Sequence, residues 1–77
     1  MKLVDLIRAT LRCPASTPIA ETDGPGALES WDSVAHIRLL AAIEREYSVR
    51  LEAEEFAEAA TVAELRALLR RKGVEGL

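Results

Sequence analysis

The sequence predicts an all-α protein: a bundle of four helices with a long loop between helices 1 and 2 and a short third helix. Three observations carry that prediction. Apolar residues recur at helical spacing in separate stretches, no stretch alternates apolar and polar residues as a strand would, and capping residues stand at the stretch boundaries. Apolar residues make up 49% and charged residues 30%, the balance of a soluble globular domain rather than a disordered tail. Trp31, Tyr47 and Phe56 are the only aromatics, so Leu, Ile, Val and Ala must fill most of the core.

The first helix spans Leu3 to Leu11. At about 100° per residue, Leu3, Val4, Leu6, Ile7 and Leu11 gather on one side, with Asp5, Arg8 and Arg12 opposite. Pro14 is the stop signal. From Pro14 to about Trp31 the chain is irregular, punctuated by Pro18 and by the turn-forming Asp23-Gly24-Pro25-Gly26. Loops longer than about 12–15 residues are uncommon in compact domains and are often functional. Ile19, Leu28 and Trp31 are positioned to pin this one to the core, which predicts an ordered loop; the alternative is a mobile linker.

The second helix begins at Ser33, with Asp32 as its N-cap. His36, Leu39, Leu40, Ile43 and Tyr47 share one face, with Ile37 at its edge, while Val34, Arg38, Ala41 and Arg45 form an outward stripe. Glu52-Ala53-Glu54-Glu55-Phe56 supports one or two turns, its acids near the favourable N-terminal end of the dipole. Thr61-Val62-Ala63-Glu64 is a capping box that opens the last helix. Val62, Leu65, Leu68 and Leu69 face inward there, Arg66, Arg70 and Arg71 outward, and Gly73 ends it.

A chain of 77 residues is one domain, residues 1–77, and too short for two. A fold of this size buries only roughly 60% of the surface its unfolded chain exposes. A deep, water-excluding active site is hard to build from so little material, which favours a binding, scaffold or carrier module over an autonomous enzyme. Ten basic residues against 13 acidic leave a net charge of −3, which argues against nucleic-acid binding. The single Cys13 excludes an internal disulfide and suits a reducing compartment. Met1-Lys2-Leu3-Val4-Asp5 breaks its apolar run too early for a signal peptide, and no stretch approaches the ~20 apolar residues that span a bilayer. The expected location is cytoplasmic.

Chemistry concentrates in Glu29-Ser30-Trp31-Asp32-Ser33-Val34, where the long loop meets the second helix. A hydroxyl at the first helical position is exposed and held on a rigid element. A phosphate esterified there faces the free amides and positive end of the helix, a favourable place for an anion. Asp-Ser is also a common helix start, and by itself the dipeptide fits an ordinary capped turn.

Asp32-Ser33-Val34 resembles the Asp-Ser-Leu motif of acyl carrier proteins, whose serine carries 4′-phosphopantetheine. Ile37, Leu39, Ile43, Glu44, Glu46 and Tyr47 are similar to that family's apolar helix ending in acids and an aromatic. Val49 and Leu51 match its alternating apolar pair, and Thr61-Val62-x-x-Leu65 the opening of its final helix. The resemblance runs in order along nearly the whole chain. It implies a four-helix acyl-carrier-type bundle without a reaction of its own. A phosphopantetheinyl transferase, using coenzyme A and a divalent cation, would join the arm to Oγ of Ser33. Acyl-loading and acyl-processing enzymes would be the other partners, with no nucleic acid or membrane involved and the chain a monomer. Tethering gives each enzyme a high effective concentration of substrate. The implied setting is polyketide or related secondary metabolism; an aminoacyl carrier is the runner-up, disfavoured because its Gly-Gly-x-Ser-type motif is absent. A helical interaction module without a prosthetic group is the alternative from another class.

The sequence departs from the family in two places. Val34 replaces the usual leucine at a position that touches partners, and Arg38 and Arg45 stand where glutamates usually meet basic partner surfaces. The reversal implies dedicated partners with neutral or acidic docking surfaces. Equally, both arginines could be solvated or pair along the helix with Glu44 and Glu46, worth only ~0.2–0.5 kcal/mol per pair. His36 lies within a turn of Ser33, but a Ser–His–Asp nucleophile is disfavoured, because the wheel turns His36 inward and no oxyanion donors are identifiable. It reads as a wall residue of a small cavity beneath Ser33 or a packed histidine, Cys13 as a small core or boundary residue, and Trp31 as a packing anchor.

Overall fold

A computed structural model describes all 77 residues. The chain forms α1 (Leu3–Leu11), α2 (Ser33–Tyr47), α3 (Ala53–Glu58) and α4 (Val62–Arg71), with no strand. Leu3, Leu6, Ile7 and Leu11 of α1 bury against Leu39, Leu40 and Ile43 of α2 and Val62, Leu65, Leu68 and Leu69 of α4, and Trp31, Leu51 and Ala59 complete the core. These are the apolar stripes that helical periodicity defines. Only α3 buries none of its own residues; it is held by its flanks, through Leu51 and Ala59, and by the ion pairs Lys72–Glu55 (3.0 Å) and Arg71–Glu58 (3.8 Å).

The three longer helices stop by one device. Arg12 (φ 59°), Ser48 (φ 53°) and Gly73 (φ 87°) turn into the left-handed region after α1, α2 and α4. The next residue then donates its amide back five positions: Cys13 to Arg8 (2.9 Å), Val49 to Glu44 (3.2 Å) and Val74 to Leu69 (3.0 Å). Cys13, Val49 and Val74 each half-bury against the core, the apolar contact that accompanies such a terminus. Arg12 therefore ends α1, and Pro14 only follows the stop.

The long loop is ordered because its backbone caps α4. Val62 and Ala63 donate their amides to the carbonyls of Asp23 (3.0 Å) and Glu21 (2.9 Å), while Thr61 Oγ1 accepts from Glu64 (3.2 Å). The approach is close enough that a side chain at Gly24 would collide with the Ala60 carbonyl. Two arginines expected to face outward instead fasten the loop. Arg66 forms a two-pronged pair with Glu21 (3.0 and 3.0 Å) and reaches the Leu77 carbonyl (3.2 Å). Arg8 Nε donates to the Thr17 carbonyl (2.8 Å). Both carry their aliphatic stems along the surface to charged heads that find partners, a reach that a helical wheel does not include. Ile37, assigned to the edge of the packed face, is 68% exposed, because it borders an open hollow and not the packed core.

Left-handed backbone at a non-glycine residue costs roughly 1–2 kcal/mol. Ser48→Gly removes that cost but adds about 0.4–1 kcal/mol of unfolded-chain entropy, so a net gain of about 0.5 kcal/mol is expected. An unchanged or lower urea midpoint would show that Ser48 is not strained.

Candidate functional site

The corner between the long loop and α2 is built on Trp31. Its indole is fully buried, with the Trp31 amide donating to Leu28 (3.0 Å) and its carbonyl accepting from Gly26 (2.7 Å). Trp31 Nε1 donates to His36 Nδ1 (3.1 Å), and the two rings stack with centroids 6.0 Å apart. Since Nδ1 accepts, the proton sits on Nε2, which donates to the Ala59 carbonyl (2.7 Å). His36 is thus a neutral, fully bonded link from the loop through α2 to the end of α3. Neither nitrogen is available to Ser33, which removes the serine–histidine nucleophile on geometric grounds.

On this base α2 begins in the open. Asp32 Oδ1 accepts from the Ala35 amide (2.8 Å) and the Asp32 carbonyl from His36 (2.9 Å). Ser33 and Val34 are exposed, and their amides bond to no protein acceptor. The contrast with α4, whose first amides the loop occupies, leaves α2 with two free donors beside a solvent-facing hydroxyl, at the positive end of a 15-residue helix.

Beneath Ser33 lies an open hollow of about 460 Å³, lined by Pro25, Ser33, His36, Ile37, Leu40 and Phe56. Its wall is almost wholly apolar, since the imidazole nitrogens of His36 are already bonded. Phe56 was not assigned to this place by the sequence, although it is the one large apolar residue in an otherwise Ala- and Glu-containing helix. The remaining candidates lie along α2. Val34 is 57% exposed next to Ser33, and Arg38 and Arg45 are exposed further on. At 1.5 Å per residue they stand about 7 and 18 Å beyond Ser33 along the helix axis. Neither arginine forms an ion pair. Glu44 Oε2 instead accepts from the Leu51 amide (2.9 Å), and Glu46 pairs with the chain's amino terminus (3.4 Å). Cys13 Sγ, 3.7 Å from Ser30 Oγ, lies half-buried behind the corner. No three His, Cys, Asp or Glu side chains gather as a metal site. No helix is long and apolar enough to cross a membrane.

Replacing His36 with Phe orphans the Trp31 N–H and the Ala59 carbonyl at about 1–3 kcal/mol each. A loss of at least about 2 kcal/mol in urea unfolding is expected, and a loss under about 0.5 kcal/mol would deny the link its role. The wall formed by α3 also responds to acid. The Glu52 amide, then the Lys72 ammonium, holds the Glu55 carboxyl below its ordinary value of 4.5. This contribution is present above the unfolded pKa and fades as pH falls through the lower folded value. Phe56 side-chain NMR signals should therefore report a loosened α3 below about pH 4.5, and Glu55→Gln should abolish that response; an identical acid response in the variant would assign it elsewhere.

A family model described as the phosphopantetheine attachment site matches residues 2–69, from the start of α1 into α4. No curated protein and no solved structure matches the chain. Carriers of this kind bear the group covalently, interact with phosphopantetheinyl transferases and acyl-processing enzymes, and catalyse nothing themselves. With most of its length matched and an all-α bundle of four helices, the chain belongs to the phosphopantetheine attachment site family.

Proposed function

We propose that residues 1–77 form a stand-alone acyl carrier whose Ser33 Oγ bears the 4′-phosphopantetheine arm. The observation that carries this reading is the pairing of an exposed Ser33 with two free amides, on a corner fixed by Trp31 and His36. These residues suit a phosphodiester. The amides of Ser33 and Val34 can donate to its oxygens, and the positive end of α2 favours its charge. Asp32 acts indirectly, by holding the first turn so that Ser33 stays at its tip. When bound, the arm supplies a terminal thiol on which acyl groups ride as thioesters. Cys13, half-buried at the end of α1, takes no part.

The hollow favours acyl over aminoacyl cargo. Apolar carbons gain about 0.8 kcal/mol per buried methylene, and Ile37, Leu40 and Phe56 offer such burial within reach of Ser33. An ammonium group would find no free acceptor on His36, whose nitrogens are committed to Trp31 and Ala59. Arg38 and Arg45, standing where glutamates meet fatty-acid enzymes in related carriers, favour polyketide or other secondary-metabolite biosynthesis. A cytoplasmic location accords with a transferase that draws on coenzyme A.

Incubation with coenzyme A, a divalent cation and a broad-specificity transferase should add the mass of one phosphopantetheine, and Ser33→Ala should add nothing. No gain in the parent chain, or a gain that persists in the variant, would refute the assignment of Ser33.

A further inference from the structure

The hollow beside Ser33 has a rim and a floor. Ile37 and Phe56 are exposed at its mouth, whereas His36 and Leu40 are buried, at 9% and 3%. Its polar atoms are few. Ser33 Oγ is the atom that esterification consumes, and Pro25 has no backbone N–H. Both nitrogens of His36 are bonded, to Trp31 Nε1 (3.1 Å) and to the Ala59 carbonyl (2.7 Å). Behind the imidazole lies the Trp31 indole, fully buried, stacked on it and no part of the hollow's lining. These two bonds extend into a hoop. On one side the Trp31 carbonyl accepts from the Gly26 amide (2.7 Å), next to Pro25. On the other, beyond Ala59, the Val62 amide donates to the Asp23 carbonyl (3.0 Å) and so returns to the same loop. Among the residues that make these bonds, His36 alone also lines the hollow.

We propose, on the basis of the carrier reading above, that His36 is a latched floor that limits how long an acyl chain the hollow shelters. The occupant is the carrier's own cargo, because Ser33, the attachment point, is itself part of the hollow's wall and the rest of that wall is apolar. A short chain buries its carbons against Ile37, Leu40 and Phe56 and leaves the hoop intact. A longer one must displace the imidazole to go deeper. The two nitrogens belong to one rigid ring, so releasing either bond misaligns the other. That movement strands the Trp31 N–H and the Ala59 carbonyl in the interior, a loss that only the burial of several further methylenes offsets. An apolar side chain at position 36 would yield by changing rotamer, since it would hold nothing in place. The imidazole resists because it presents carbon to the hollow and commits its polar atoms to the frame. Selection by length therefore rests on a residue of the frame and not on the shape of the rim.

The test loads the chain from butyryl-, hexanoyl-, octanoyl- and dodecanoyl-coenzyme A with a broad-specificity transferase. Two quantities are followed: the urea midpoint relative to the chain carrying a bare arm, and the NMR signal of the Trp31 indole N–H. Sheltered cargo stabilises the folded state, because the unfolded chain offers it no shelter. The midpoint should rise from butyryl to octanoyl and gain nothing further with dodecanoyl, while the indole signal stays in place throughout. His36→Ala removes the floor, and its midpoint should go on rising to dodecanoyl. A midpoint that keeps climbing to dodecanoyl in the parent chain, a plateau at the same length in the variant, or no rise with any chain would each overturn the floor. So would an indole signal that moves as the cargo lengthens, and this reading decides the matter on the parent chain alone if His36→Ala does not fold. Loading is scored separately by mass. A failure to load counts against Ser33 and the carrier reading, whereas a loaded chain that gives one of the overturning results removes only the floor.

Discussion

The arrangement depends on a buried neutral imidazole that must satisfy two nitrogens. His36 meets that demand with one partner from the end of the long loop, the Trp31 indole, and one from the end of α3, the Ala59 carbonyl. An unpaired buried group costs about 1–3 kcal/mol, so the three segments are held in mutual register. That register sets the first turn of α2 above the hollow and brings Phe56 opposite Ile37. The Ser33 hydroxyl itself makes no contribution to this frame. It sits two residues after a fixed tryptophan and three before a fixed histidine, and is positioned by both.

A domain of this size has little interior to spare, and it holds Ser33 at an exposed corner instead of in a cleft. The two helix starts on either side of the loop show how. Around residues 21–24 the loop lends its carbonyls to the amides of Val62 and Ala63, sealing α4. At its end, it delivers Asp32 to α2, which caps the Ala35 amide and leaves those of Ser33 and Val34 free. An anion is therefore favoured at one helix start and excluded from the other by neighbouring protein. The loop's length is used for both purposes, which accounts for an ordered span of this extent without secondary structure.

Much of this is legible in residue type and spacing alone. Periodicity placed the buried stripes of α1, α2 and α4, and side-chain caps placed the starts of α2 and α4, because both signals are local and carried by residue type. The parts that could not be read depend on backbone or on distance. Arg12 and Ser48 end their helices in a conformation usually marked by glycine, so residue identity gave no warning. The cap on α4 comes from carbonyls, which every residue has. Arg66 reaches Glu21 across 45 positions and His36 reaches Ala59 across 23, and neither partner can be chosen from a wheel. The sequence implies a cavity below Ser33 but not its far wall, because Phe56 joins it only through the fold, from α3.

The fate of the acidic residues gives the charge pattern its meaning. Glu21 binds Arg66, Glu55 binds Lys72, Glu58 binds Arg71, Glu44 and Glu64 accept from backbone amides, and Glu46 holds the amino terminus. Asp32 is committed to the first turn of α2. The two acids of α2, Glu44 and Glu46, are thus engaged in joining elements, and neither pairs with an arginine of that helix. Surface pairs of this kind contribute little each to stability, about 0–1 kcal/mol, but together they determine where positive charge stays uncompensated. On α2 it remains on Arg38 and Arg45, along the helix that presents Ser33, and elsewhere on Lys2, Arg12, Arg50 and Arg70, which likewise form no ion pair.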